Sequence, residues 1–240
     1  MLIETMRFEE IRREILKDYH QEISHRAVMI RPKYERYLKA KLGKIPSANK
    51  RRAARIPKAY QLKSTNKNNW IVIYDRDRAD YLLTFACYYY TQKGLKAYMK
   101  YAPPENISLL SCTGHFLKRY RERLQLEHVS PIDGLIRFFS NNPMGITRRI
   151  GEPIADGVYQ VYARYPEGLG LGFEDENIKL VTLNTFLSEA ELKGDQKGID
   201  TEIRQELQAK YIEALEHVKE LPPEYFATLE RWLQDFSRDL

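Results

Sequence analysis

The chain has 240 residues, 43% hydrophobic and 30% charged, with 39 Lys and Arg against 33 Asp and Glu and a formal net charge of +6. No run of about 18 apolar residues occurs, which excludes a membrane-spanning helix, and Met1-Leu2-Ile3-Glu4-Thr5 does not open like a secretory signal. The two cysteines, Cys87 and Cys112, sit far apart in apolar segments, which predicts buried reduced thiols, a cytoplasmic protein and no metal site.

Charge is uneven along the chain. Residues 1–66 carry +10, residues 67–187 carry +2 and residues 188–240 carry −6. A cationic first third attracts polyanions by phosphate contact and counterion release. The acidic end offers an alternative partner by folding back on the basic one.

Residues 1–43 read as N-terminal helices. Ile3, Met6, Ile11, Ile15, Tyr19, Ile23 and Ala27 recur at helical spacing, and Pro32 predicts a kink or break near Arg31 before a second helix that ends at Gly43. Residues 44–68 mix Lys and Arg with Pro46, Pro57, Ser and Asn, the composition of a basic linker. Its densest charge run holds Lys50, Arg51, Arg52 and Arg55, either a solvated loop or a contact for nucleic acid.

The stretch 69–187 is the expected core domain. Strands are predicted at Asn69–Tyr74, Tyr81–Tyr90, Leu95–Tyr101 and Ile107–Cys112, the middle two joined as a hairpin through Gln92-Lys93-Gly94. Two helices follow, about Gly114 to Gln125 with Thr113 as N-cap, and Ile132 to Ser140 after Pro131. Three late strands are expected at Val158–Tyr165, Leu169–Phe173 and Ile178–Phe186. Gly168-Leu169-Gly170-Leu171-Gly172 lies in a predicted hairpin and reads as a bulged strand, not a phosphate cradle, so no cofactor is expected. Residues 188–240 read as an acidic helical hairpin, with Ile203, Leu207, Tyr211, Leu215 and Val218 in one apolar stripe and Trp232 in the second helix, suited to a protein partner or self-association. Together these elements predict an α+β fold: a mostly antiparallel sheet with a central helix pair, N-terminal helices and a C-terminal helical hairpin.

The segment richest in chemistry is Thr113-Gly114-His115-Phe116-Leu117-Lys118-Arg119-Tyr120-Arg121-Glu122-Arg123-Leu124. His115, Arg119 and Arg123 recur at i, i+4 and i+8, one side of a helix. One proton-transfer group and two guanidiniums are what metal-free cleavage of RNA by its own 2′-OH requires: a base, and cations that stabilise a phosphorane-like transition state. A basic nucleic-acid-binding helix, with Lys118 and Arg121 on phosphates, has the same composition, and His115 can equally serve packing. Tyr162 and Arg164 are candidates for a second catalytic group. Ser188-Glu189-Ala190-Glu191 reads as a capping box.

The His-x-x-x-Arg-x-x-x-Arg helix, the second helix, the three antiparallel strands and the closing Thr185-Phe186-Leu187-Ser188 resemble the BrnT/RelE-like toxin ribonucleases of the barnase–EndoU–colicin–RelE class over residues 112–188. That resemblance implies a metal-independent endoribonuclease with His115, Arg119 and Arg123 in its groove. The basic residues offer the alternative of a nucleic-acid-binding protein without chemistry, with RNA favoured over DNA and no membrane partner.

Overall fold

In a computed structural model, the described residues are 1–44, 56–77, 80–101, 108–142, 145–192, 198 and 201–202. The chain opens with α1 (Phe8–Asp18), a π turn (Tyr19–Ile23) and α2 (Ser24–Gly43). A five-strand meander follows: β1 (Lys58–Lys63), β2 (Asn69–Asp77), β3 (Asp80–Thr91), β4 (Gly94–Tyr101) and β5 (Ser108–Cys112). Then come α3 (Gly114–Arg123) and α4 (Pro131–Asn141). A second meander, β6 (Ile146–Ala155), β7 (Val158–Tyr165), β8 (Gly168–Asp175) and β9 (Leu180–Ser188), leads into a 3-10 turn at Glu189–Glu191.

All nine strands join in one sheet of order β1-β2-β3-β4-β5-β9-β8-β7-β6. Every neighbouring pair is antiparallel except β5 and β9, which run parallel with Leu109 to Cys112 beside Leu180 to Leu183. Period-two alternation then divides the side chains between two covered faces. Trp70, Val72, Tyr74, Cys87, Tyr89, Tyr98 and Leu109 turn to one face, where Ile11, Ile15, Ile23, Ala27, Ile30, Tyr34 and Leu38 of the helical arm cover them. Ile71, Ile73, Ala86, Ala97, Met99, Leu110 and Cys112 turn to the other, where Phe116, Leu117, Tyr120, Leu135, Phe138 and Phe139 pack together with Val161, Ala163, Val181, Leu183 and Phe186.

The arm keeps its apolar side on the sheet by an irregularity. Eight residues separate Ile15 from Ile23, and eight residues of plain α-helix would turn the stripe by about 80°. The wider π turn takes up the difference, so Ile15, Asp18 and Ile23 are all buried. Asp18 there accepts hydrogen bonds from Asn66 Nδ2 (2.6 Å), Asn68 Nδ2 (2.8 Å) and Trp70 Nε1 (3.2 Å).

The expected fold class needs correction. The sheet is a single mixed sheet of nine strands, with a parallel junction at its middle. The two helices expected as a central pair lie on one face of it, as the crossover between the two meanders. The N-terminal helices are one continuous helical arm on the other face, and α2 runs through Pro32 without a break. Pro32 is exposed, and the carbonyl it strands belongs to exposed Val28, on the solvent side of the helix. The C-terminal helical hairpin lies outside the described residues, apart from positions 198, 201 and 202. Two strands were not foreseen. β1 falls inside the segment read as a linker, and β6 contains Gly151 and Pro153. Both are edge strands, where charge and proline are tolerated because one side of the ladder is unpaired.

Candidate nucleic-acid interface

Helix α3 starts where β5 ends. The Thr113 side chain caps it by accepting from the Phe116 amide at 3.2 Å, and the Thr113 amide donates to the Leu183 carbonyl of β9 at 3.1 Å. Phe116, Leu117 and Tyr120 point into the core, and the Tyr120 hydroxyl donates to Glu167 at 2.7 Å. Asn141 and Asn142 donate to the same carboxylate at 2.8 and 2.7 Å, tying α3, α4 and the β7–β8 turn together. Burial first, then the Glu167 charge, raises the Tyr120 pKa well above the ordinary phenol value.

The predicted His115, Arg119 and Arg123 stripe is divided by this placement. Each step of four residues turns about 40° one way round the helix, and each step of three turns about 60° the other. Arg119 and Arg123 therefore swing toward β9. Arg119 pairs with Glu122 at 3.0 Å; Arg123 donates to the Phe186 carbonyl and lies 3.2 Å from Glu191. Burial raises the Glu191 pKa, but hydrogen bonds from Ser188 and the Arg123 and Arg119 charges outweigh it and hold the carboxyl below its ordinary value. Ser188 and Glu191 form the expected capping box, with the Ser188 amide and hydroxyl donating to Glu191 at 3.0 and 2.7 Å.

His115 swings with Lys118 and Arg121 instead. The three side chains, spaced i, i+3 and i+6, line an open recess of about 460 Å³. Its other walls are Lys93 and Gly94 of the β3–β4 turn and Pro131 at the start of α4; Leu95 and Leu117 form the floor. Glycine permits this closeness: a Cβ on Gly114 would stand 2.3 Å from the Lys93 carbonyl oxygen. Arg121 lies over Gly134, where a Cβ would come within 2.7 Å of its Cδ, and Nη2 donates to the Glu127 carbonyl at 2.9 Å. Its buried Nε has no hydrogen-bond partner among the described residues. Lys118 is exposed, with Glu122 3.7 Å from its Nζ. Lys93 is a wall that the motif alone could not supply. Its signal was the predicted hairpin turn, whose position beside α3 depends on the whole sheet.

The remaining candidates are dispersed. Tyr162 and Arg164 belong to the face of β7 opposite Val161 and Ala163, so the sheet separates them from His115. Arg164 is buried, donating to the Gly168 carbonyl at 3.1 Å and paired with Glu189. Lys50, Arg51, Arg52 and Arg55 lie outside the described residues. The glycine run forms β8 with a register irregularity at Leu171/Gly172, where a Cβ on Gly172 would meet the Thr182 carbonyl oxygen at 1.9 Å. Both cysteines are buried and unpaired, and burial pushes both thiols up. Among the described residues, no helix is long and apolar enough to cross a membrane, and no cluster of three or more His, Cys, Asp or Glu side chains could hold a metal.

Comparison with protein-family models, with curated proteins and with solved structures finds no match for this chain.

Proposed function

We propose that this protein binds nucleic acid without cleaving it, and that the recess of Lys93, His115, Lys118 and Arg121 is the contact. One observation carries the reading: four residues with nitrogen-bearing side chains, from two separate elements, line one open recess. Phosphate is the natural complement of such a set, since Arg and Lys supply charge and several donors at once. The nuclease implied by the toxin resemblance would need Arg119 and Arg123 free beside His115, and both are engaged with carboxylates, Arg119 with Glu122 of its own helix and Arg123 with Glu191 after β9.

RNA is the first ligand to test. Binding followed by fluorescence anisotropy should weaken with salt, with a logarithmic slope of about −0.7 for each phosphate contacted on a single strand. Lys93→Ala combined with Lys118→Ala should shallow that slope by about two such contacts. Affinity unchanged in the double variant would remove the recess from consideration. Labelled RNA should stay intact in EDTA; cleavage that His115→Ala abolishes would instead establish the nuclease.

A further inference from the structure

Resting on the nucleic-acid reading above, we infer that the recess selects a single strand and seats one unpaired nucleotide in it. The phosphate lies among Lys93, Lys118 and Arg121, and the base lies on the apolar floor. Shape is the first ground. A duplex presents its phosphates on a convex surface and is met by a helix or ribbon carrying free cations along its length. Helix α3 is not such an element: it has ten residues, its Phe116, Leu117 and Tyr120 are turned into the core, and Arg119 and Arg123 are paired. What it contributes is one wall of a hollow, of a volume within the range of small-ligand sites, about 300–1,000 Å³.

Composition of the hollow is the second ground. Leu95, Leu117 and Pro131 give it an apolar lining beneath a cationic rim. An inorganic anion gains nothing from that lining, and a base held in a duplex cannot reach it without leaving its stack. An unstacked base has a flat apolar face to lay there while its own phosphate meets the rim. The third ground is Arg121. Its stem is fixed over Gly134 and one end of its guanidinium by the Glu127 carbonyl, so it stands ordered at the wall of the recess before any phosphate arrives.

The test uses the full chain and three probes: a fluorescein-labelled RNA oligonucleotide, the same strand annealed to its complement, and inorganic polyphosphate as competitor. The expected result is a single strand bound severalfold tighter than the duplex. Polyphosphate should be a poor competitor at equal phosphate concentration. Pro131→Ala should weaken the single strand and leave the duplex unchanged. Equal affinity for strand and duplex, or equal competition by polyphosphate, would overturn the single-nucleotide seat and leave nucleic-acid binding standing. No salt-sensitive binding of either RNA would overturn both.

Discussion

Single residues decide where charge is tolerated in this molecule. Asp18 is buried beneath the π turn, 2% exposed, and the donors it meets from Asn66, Asn68 and Trp70 are all neutral. Burial raises its pKa, but donors from Ser64, Asn68, Asn66 and Trp70 outweigh that and hold the carboxyl below its ordinary value of 3.8. Since the folded value is the lower one, the stabilisation is present above the unfolded value and is lost as pH falls through the folded one. Asp18→Asn should cost about 1–3 kcal/mol at neutral pH, because an amide sets a donor against donors. It should also flatten the decline of stability in the acid range, which denaturant titrations at several pH values would measure; an unchanged acid profile would show that Asp18 is not the titrating group.

At the scale of elements, α3 and α4 meet through Arg121 and Gly134, and this contact separates binding from stability. Gly134→Ala improves helix propensity by up to about 1 kcal/mol, yet its methyl group displaces the Arg121 stem. The expected outcome is a melting temperature held or slightly raised, together with RNA affinity reduced severalfold. A fall in both would mean that the stem cannot move aside. Seven of the nine strands and both crossover helices could be read from the sequence because their alternation, the cap at Thr113, Pro131 at a helix start and the turn residues are local signals. β1 and β6 could not, because Lys58, Lys63, Gly151 and Pro153 are loop-like locally and fit strands only at the two edges of the sheet. The spacing of His115, Arg119 and Arg123 was equally visible, and so was Glu122 three residues from Arg119, but the acid that claims Arg123 comes from beyond β9. Glu191 is 68 residues from Arg123, a distance that no window along the chain reveals.

For the whole molecule, the parallel contact between β5 and β9 governs the architecture. Each meander pairs through neighbours in the chain; the junction joins segments with both crossover helices and three strands between them. It also places the recess, since β5 delivers α3 and β9 anchors its first turn through the Leu183 carbonyl and its last through the Phe186 carbonyl. The first meander and the crossover thus act together in setting Lys93 beside Lys118, which with Arg121 the sequence also offers as a phosphate contact.

The junction also makes each half of the sheet a guard for the other. Without β6–β9, strand β5 would offer Leu109 and Leu110 on an unpaired ladder edge, open to any strand from another chain. A chain stopped after α4 should therefore self-associate, visible as light scattering that rises with concentration, while adding the missing segment as a separate peptide should suppress it. A clear, monomeric fragment would show that β5 is protected by some other means. Where two locally assembled sheets share a single parallel seam, each keeps the other's inner edge covered.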